Sequence, residues 1–121
     1  GFFMMGFPGE TEEQINMTID FARKSSLNTA GFFAVTAYPK TELYKMAKQI
    51  GVVLPDNFDT YHYHHNTLNL TNMSLSRLQS LRKKAYWKFY ADPIRVYKII
   101  SMTPRKTDIL TNLKMHFRDF F

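Results

Sequence analysis

The chain has 121 residues, with 16 Lys and Arg against 10 Asp and Glu, no cysteine, and a formal charge of +6. This length fits one ordinary domain, and a hydrophobic content of 45% excludes wholesale disorder. The lack of cysteine excludes disulfides, thiolate zinc sites, cysteine nucleophiles and Cys-ligated iron–sulfur clusters within this chain. No apolar run approaches the roughly 20 residues of a membrane helix, and no signal peptide opens the sequence.

Charge is distributed unevenly along the sequence. Residues 1–73 carry five Lys and Arg against seven Asp and Glu, a net charge of −2, whereas residues 74–121 carry eleven against three, a net charge of +8. The change falls beside a polar stretch rich in His and Asn. We therefore predict a βαβα portion at residues 1–55, a connector at residues 56–74 and a helical extension at residues 75–121.

The first portion begins with a short strand and a capped helix. Residues 1–6 are mostly apolar, and a glycine-rich turn at residues 7–10 ends this strand. Thr11 begins a helix because residues 11–14, Thr-Glu-Glu-Gln, fit a capping box that satisfies free backbone N–H groups. The predicted apolar face of this helix consists of Ile15, Ile19 and Ala22.

The second predicted strand, Ala30–Tyr38, is apolar along nearly its whole length, which is typical of a parallel strand covered on both faces. Pro39 ends the strand, and Thr41–Ile50 forms the next helix, with Gly51 at its C-cap. The residues of this helix predicted to point inward are Leu43, Ala47 and Ile50. A strand, a crossover helix and a second strand make a βαβ unit, which is nearly always right-handed.

The remaining sequence is predicted to be helical. Ser76–Tyr90 forms one helix, and Asp92 and Pro93 are a typical N-cap and first residue of the next. The apolar stripe of the first of these helices is Leu78, Leu81, Ala85 and Phe89. A last helix is expected over Arg105–Phe120. Its inward residues would be Ile109, Leu113 and Phe117.

The glycine-rich segment at residues 6–11 is a candidate ligand site because it joins a buried strand to a helix N-terminus. Glycine allows close backbone approach, and the free N–H groups of the helix favour an anion. This favours a weak anion or nucleotide site, with a tight connecting turn as the plainer alternative. The segment is not a P-loop, because no Gly-Lys-Ser/Thr follows it.

Three histidines, His62, His64 and His65, could bind zinc, copper or nickel. In an extended segment His62 and His64 share a face, whereas His65 points away from it. No carboxylate lies at helical spacing to complete a site. The pattern therefore favours a solvated connector over a metal site.

The basic extension permits a nucleic-acid hypothesis. Arg77, Lys84 and Lys88 share one helix face, where cations would neutralise phosphates. Neighbouring cations and aromatics that would add contacts or stack on bases are Arg82, Lys83, Tyr86, Trp87 and Tyr90. This pattern leaves open a non-enzymatic module that binds RNA or an acidic protein. The interpretation that we favour is a solvated face whose aromatics pack against the rest of the domain.

Three segments resemble parts of radical S-adenosylmethionine (SAM) enzymes. Residues 1–11, Gly-Phe-Phe-Met-Met-Gly-Phe-Pro-Gly-Glu-Thr, resemble the fifth-strand segment, most closely in the branch that often carries an N-terminal cobalamin-binding domain. Residues 33–44 resemble that branch's sixth strand and its Pro-Gly-Thr-Glu-Leu-Tyr turn, with Lys40 in place of the usual glycine. Residues 85–90, followed by Pro93, are similar to its helical tail.

The resemblance implies an α/β fold: two parallel strands and their helices from a partial (β/α)6 TIM-type barrel, followed by an α-helical C-terminal extension. In that family a [4Fe–4S] cluster on a Cys-x3-Cys-x2-Cys loop cleaves SAM to a 5′-deoxyadenosyl radical, and the fifth and sixth strand ends line the adenine side of the pocket. The residues implied to flank the adenine are Met4, Met5, Gly6, Ala34, Val35 and Thr36. Glu10 would fix the loop beyond them.

The cluster loop is missing here, so the chain is expected to be an inactive C-terminal piece of a cytoplasmic enzyme that acts on a small molecule. The resemblance to the cobalamin-associated branch adds cobalamin as a second cofactor that the parent enzyme could use. The chain's first partner would be the missing N-terminal half of the barrel, and nucleic acid would not be a partner. Cutting a barrel before its fifth strand leaves the outer backbone groups of that strand unpaired. The isolated chain should then pair through this edge with a second copy, or aggregate, unless helices of the extension cover it.

Overall fold

The computed structural model describes residues 1–54 and 68–103. Its elements in chain order are β1 (Phe2–Met5), α1 (Glu12–Lys24), β2 (Gly31–Ala34), α2 (Glu42–Gln49), α3 (Leu75–Tyr90) and α4 (Pro93–Met102). The α/β class is confirmed, whereas two strands do not establish a partial barrel. The predicted helix at Arg105–Phe120 and the three histidines lie outside the described residues.

The two strands form a parallel sheet, as the predicted βαβ unit requires. Their register pairs Phe2 with Gly31 and Met5 with Ala34. One face of the sheet carries Phe3, Met5, Phe32 and Ala34 and packs under helices. The opposite face, here called the open face, carries Phe2, Met4, Gly31 and Phe33.

The prediction for the second strand was wrong in length, and the described residues do not test its coverage on both faces. β2 ends at Ala34, and within the described part of the chain helices cover only one face of the sheet. The apolar residues that follow are buried for another reason: Val35 and Ala37 pack beside α2, against Ala47. The apolar run therefore continues past the strand, because residues of the following loop are buried in a separate hydrophobic cluster.

The capping box predicted for α1 is present. Thr11 Oγ1 accepts a hydrogen bond from the backbone N–H of Gln14 at 3.3 Å, and Gln14 Oε1 accepts one from the N–H of Thr11 at 2.9 Å. The predicted inward face is buried throughout: Ile15, Ile19 and Ala22. Local side-chain bonding thus fixes where the helix begins, and its apolar stripe fixes which face turns to the sheet.

α2 begins after its N-cap Thr41 and ends in a Schellman motif. The N–H of Gly51 donates to Lys48 O at 3.1 Å and that of Val52 to Ala47 O at 3.0 Å, and Gly51 has a φ of +77°. Ala47 is buried as predicted, but Ile50 is 53% exposed and its inward assignment was wrong. Ile50 is the C-cap residue, so its side chain leaves the helical register that the prediction assumed.

α3 joins the helical extension to the main core. Its predicted stripe is buried, and it packs with the inner residues of α1 and the sheet: Met5, Ile15, Ile19, Ala22, Ala30, Phe32, Leu78, Leu81, Ala85 and Phe89. A smaller cluster contains Val35, Ala37, Ala47, Leu68 and Leu70. Leu68 and Leu70 belong to the predicted connector, so the end of that stretch supplies buried side chains. No helix in the described ranges is long and apolar enough to cross a membrane.

Candidate cofactor site

The β1–α1 loop is a turn braced by its own carboxylate. The N–H of Glu10 donates to Phe7 O at 3.0 Å, with Pro8 and Gly9 (φ +75°) at the two central positions, a combination typical of a type II turn. Glu10 Oε2 then accepts hydrogen bonds from the N–H groups of Gly6, at 2.5 Å, and Phe7, at 3.1 Å. The side chain of Glu10 therefore holds the end of β1 in place.

Gly6 has a structural reason to be glycine. Its φ is +95°, a conformation that residues with a Cβ rarely adopt, and an added Cβ would lie 3.2 Å from Leu78 Cδ2. The chain thus turns at Gly6 directly against α3. The backbone at the end of β1 is fixed from two sides, by Glu10 and by the helix.

These bonds weigh against the anion site considered from sequence. The N–H groups of Gly6 and Phe7 already bind a carboxylate, and Thr11 occupies the N–H of Gln14 at the start of α1. A phosphate in the same place would meet the negative charge of Glu10 instead of free donors. The geometry favours the tight-turn interpretation of the glycine-rich segment.

The β2–α2 loop repeats the construction. The N–H of Thr41 donates to Tyr38 O at 3.2 Å, and the central positions hold Pro39 and Lys40. Lys40 has a φ of +69°, the left-handed conformation that glycine would adopt without strain. The turn expected from the family pattern is therefore kept although a lysine occupies the glycine position. In both loops the turn leads into a threonine-capped helix.

The seven predicted site residues divide by face. Met4 is 51% exposed on the open face, whereas Met5 and Ala34 are buried on the covered face. Gly6 and Glu10 form the braced loop described above. Val35 is buried in the smaller cluster, and Thr36 is half-buried. The ends of the strands are adjacent, because the N–H of Val35 donates to Met5 O at 2.9 Å. Side chains of the buried members do not reach the open face.

Sequence reasoning missed two open-face residues, Phe2 and Phe33. Their rings lie 5.6 Å apart beside Met4, on the only sheet face that described helices leave uncovered. Alternation along the strands would have revealed them, because residues two apart share a face. The uniformly apolar sequence hid that alternation.

The basic face of α3 bonds to α1 through a polar ladder of three pairs. Arg77 Nε donates to Glu12 Oε2 at 2.9 Å. Lys84 Nζ donates to Asn16 Oδ1 at 2.7 Å, and Lys88 Nζ to Asp20 Oδ1 at 3.2 Å. Glu12, Asn16 and Asp20 recur every four residues and so line one side of α1.

Electrostatics in the polar ladder follow from these contacts. The hydrogen bond from Arg77 lowers the pKa of the Glu12 carboxyl, and that from Lys88 lowers the pKa of the Asp20 carboxyl. Arg77, Lys84 and Lys88 were the cations that the nucleic-acid hypothesis placed on one face. Since these cations bond to α1, that face is already occupied within the molecule.

Two tyrosines of α3 cover the outer edge of β2. Tyr90 Oη accepts from Ala30 N at 3.1 Å and donates to Ala30 O at 2.9 Å, and Tyr86 Oη makes the same pair with Phe32 at 3.1 and 3.3 Å. The spacing matches because four helical residues rise about 6 Å and two strand residues about 6.6 Å. The hydroxyls of this tyrosine pair thus make the hydrogen bonds to Ala30 and Phe32 that a neighbouring strand would otherwise make. Burial raises the pKa of the Tyr90 hydroxyl.

Residues 1–54 and 68–103 contain no group of three or more His, Asp or Glu arranged to hold a metal ion.

Asn69, which begins a glycosylation-type sequence, uses its side chain inside the fold. Its Oδ1 accepts from the Thr71 N–H at 3.1 Å, and its Nδ2 donates to Met73 O at 2.5 Å. With no metal group among the described residues, the candidate site consists of the two strand ends and the open face.

Curated proteins similar to this chain include an uncharacterized methyltransferase of Pyrococcus horikoshii, 34% identical over 93 residues, which is 77% of this chain and 20% of that protein. They also include the ribosomal protein uS12 methylthiotransferase RimO of Carboxydothermus hydrogenoformans, 46% identical over 48 residues (40% of this chain, 11% of that protein). RimO of Haemophilus ducreyi is 31% identical over 77 residues, covering 64% of this chain and 16% of that protein.

The chain thus spans a fifth or less of the length of these relatives. No family model matches the sequence, and no solved structure matches it. Relatives of this chain therefore include methylthiotransferases and a methyltransferase. These partial similarities support the resemblance to the radical SAM superfamily, without singling out one branch of it.

Proposed function

We propose that this chain is the C-terminal portion of a longer radical SAM enzyme, the parent, and that its two strand ends form the adenine side of the SAM pocket. The observation that carries the proposal is the pair of adjacent, matched turns at the ends of two parallel strands, beside an apolar sheet face that no described helix covers. Ligands of open α/β sheets and barrels bind at the C-terminal ends of strands. The partial similarity to methylthiotransferases supports the same family.

Each proposed residue has a role that its position permits. Glu10 holds the Gly6 and Phe7 amides, so the end of β1 is preorganised before a ligand binds. Met4 offers a polarizable side chain on the open face, which suits a flat purine. Thr36 offers a hydroxyl beyond the end of β2.

The other three members act without presenting a side chain to the open face. Met5 and Ala34 are buried under the helices, and Val35 packs in the smaller cluster. They would support the pocket wall from behind and present backbone groups to the ligand.

The cluster chemistry must come from outside this chain. A [4Fe–4S] cluster needs cysteine thiolates, and the sequence has none, so these residues do not fit that group. In radical SAM enzymes the cluster cleaves SAM reductively, whereas the residues described here would bind and orient the adenine. Cobalamin in the parent stays a prediction, as does its cytoplasmic location. We propose transfer of a methyl or methylthio group as the parent's reaction.

A binding measurement on the ¹⁵N-labelled chain tests the pocket. Because most of the pocket lies outside the chain, we expect SAM to bind with a Kd on the order of 1 mM and to shift the amide signals of Gly6, Val35 and Thr36. Met4→Asp should weaken binding at least several-fold by placing a charge on the open face. Met17→Asp makes the same change at a 70% exposed methionine of α1 and should not.

Two results would contradict the proposal: no shift at these amides with SAM in excess, or equal binding by both variants. The gene supplies an independent check. A Cys-x3-Cys-x2-Cys sequence upstream of Gly1 would support the parent enzyme, and a longer reading frame without one would count against it.

A further inference from the structure

Gly31 leaves space for a neighbouring aromatic ring. It lies inside β2 with no positive φ, so its backbone conformation is one that any residue adopts. A Cβ added there would lie 2.6 Å from Cε2 and 2.8 Å from Cζ of Phe33, and 3.4 Å from Cδ1 of Phe2. Carbon atoms in contact are normally about 3.5–4.0 Å apart. The Phe33 ring therefore occupies the space that a side chain at Gly31 would need.

The Phe33 ring leans back along β2, away from the strand ends. Phe33 and Gly31 are two residues apart and share the open face, with Gly31 nearer the start of the strand. Phe2 pairs with Gly31 in the register, and its ring centroid lies 5.6 Å from that of Phe33. Met4 pairs with Phe33, so it lies closer to the strand ends than the ring does.

All four residues of the open face are apolar: Phe2, Met4, Gly31 and Phe33. None of them offers a charge, a hydroxyl or an amide side chain, so this face can recognise a ligand only by its shape and its apolar surface. A phosphate or carboxylate placed here would lose its hydration without gaining a partner from these side chains. The flat, neutral base of a nucleoside fits such a face, because aromatic rings stack on one another.

We propose that the Phe33 ring, held over Gly31, is the floor of the proposed SAM pocket and sets how deeply the adenine enters it. This inference rests on the proposed function and adds two residues to the site. Phe33 contacts the base, whereas Gly31 is a positioning residue that acts through the ring. A side chain at residue 31 would push the ring toward the strand ends and into the space of the base. The floor accepts a neutral planar base and excludes anionic groups.

The adenine protons of SAM report contact with the floor. The ring current of an aromatic side chain moves the proton signals of a stacked base upfield, so the adenine signals should move upfield when SAM is titrated with the full chain. Phe33→Leu should abolish this upfield movement, while SAM still shifts the amide signals of Val35 and Thr36. Phe21→Leu makes the same change at a 68% exposed phenylalanine of α1 and should keep the upfield movement.

Gly31→Ala tests the positioning role. We expect this variant to bind SAM at least about five-fold more weakly, because the displaced ring fills part of the pocket. The double variant, Gly31→Ala with Phe33→Leu, should bind like Phe33→Leu alone, since leucine is shorter than the ring and leaves room for the added methyl group. Circular dichroism and the amide spectrum show whether each variant is folded, so a loss of binding is not confused with a loss of structure.

The outcomes separate the floor from the pocket. A wild-type chain whose Val35 and Thr36 amides do not shift with SAM overturns the proposed function and this inference with it. Amide shifts without upfield movement of the adenine protons, or with equal movement in Phe33→Leu, overturn the floor and leave the proposed function standing. A folded Gly31→Ala that binds SAM like the wild type overturns the positioning role. If Gly31→Ala does not fold, the comparison of Phe33→Leu with Phe21→Leu decides the result.

Discussion

Arg95 is a buried charge with no carboxylate partner among the described residues. It is 5% exposed, and its guanidinium donates to the carbonyl oxygens of Leu27 at 2.9 Å, Phe89 at 2.6 Å, Arg23 at 2.9 Å and Ser25 at 3.0 Å. These carbonyls lie at or just after the C-terminal ends of α1 and α3, where helices leave acceptors unpaired and carry partial negative charge. One side chain of α4 therefore ties two helix ends together.

Replacing Arg95 by Met should lower the free energy of unfolding by about 3 kcal/mol, because it leaves buried carbonyl groups without donors. Arg95→Lys should lose most of the same stability, since one ammonium cannot reproduce the planar fork. Chemical denaturation measures both changes. Lys98→Met, at an exposed position of α4, is the matched control and should stay within about 0.5 kcal/mol. An Arg95→Met variant as stable as this control would contradict the role.

At the scale of elements, α3 carries three kinds of contact on different sides. Its leucines and Phe89 enter the core, its cations form the polar ladder with α1, and its tyrosine pair bonds β2. The sequence predicted the first set from the helical period. The other two sets could not be predicted without knowing which element lies beside each face. A basic stripe has the same sequence pattern whether it faces solvent or a neighbouring helix.

Tyr90 makes the free energy of unfolding depend on pH in the alkaline range. Burial raises the folded-state pKa of Tyr90 above its usual 10.0, so the folded chain holds this proton more tightly than the unfolded chain. The stabilisation is fully present below about pH 10 and should be lost as the pH rises through the folded pKa. Denaturation midpoints measured from pH 8 upward should fall accordingly.

Tyr90→Phe should remove the Tyr90 share of this pH dependence and cost about 1–2 kcal/mol at neutral pH, because the N–H and C=O of Ala30 lose their partner. Tyr97→Phe changes a 72% exposed tyrosine and should do neither. An unchanged alkaline profile in Tyr90→Phe would show that the hydroxyl is not an edge cap.

At the scale of the whole molecule, one core spans the predicted division of the chain. Side chains of α3 pack in the same cluster as those of β1, α1 and β2. The βαβα portion therefore buries its sheet only with the help of the helical extension. A portion of this size, with two strands and two helices, is marginally stable when it buries its apolar surface alone.

Truncation tests this interdependence. A chain ending at Ser74 lacks α3 and α4 and should lose cooperative thermal unfolding, because four of the ten buried residues of the main cluster are missing. The full chain should unfold in one transition when followed by Trp87 fluorescence and by circular dichroism. A truncated chain that still unfolds cooperatively would instead support independent domains separated at the connector.

The sequence by itself determined the order of the described elements, the cap at Thr11, the glycine that ends α2, and the buried faces of α1 and α3. These features depend on residues within a few positions of one another, so their physics is local. The family resemblance also implied that Glu10 fixes its loop, and in the structure Glu10 bonds the Gly6 and Phe7 amides; the ligand-site residues that it implied stay predictions.

Only the structure decided where β2 ends, that Ile50 is exposed, that Met5 and Ala34 are buried on the covered face of the sheet, and that Val35 is buried in the smaller cluster. It alone placed the polar ladder, the tyrosine pair and Arg95. Apart from the bond of Arg95 to the nearby Phe89, the contacts of the polar ladder, the tyrosine pair and Arg95 join residues 54 to 72 positions apart. The local sequence pattern shows that a side chain can form a hydrogen bond or be buried. Which residue it contacts depends on the packing of elements that are distant in sequence.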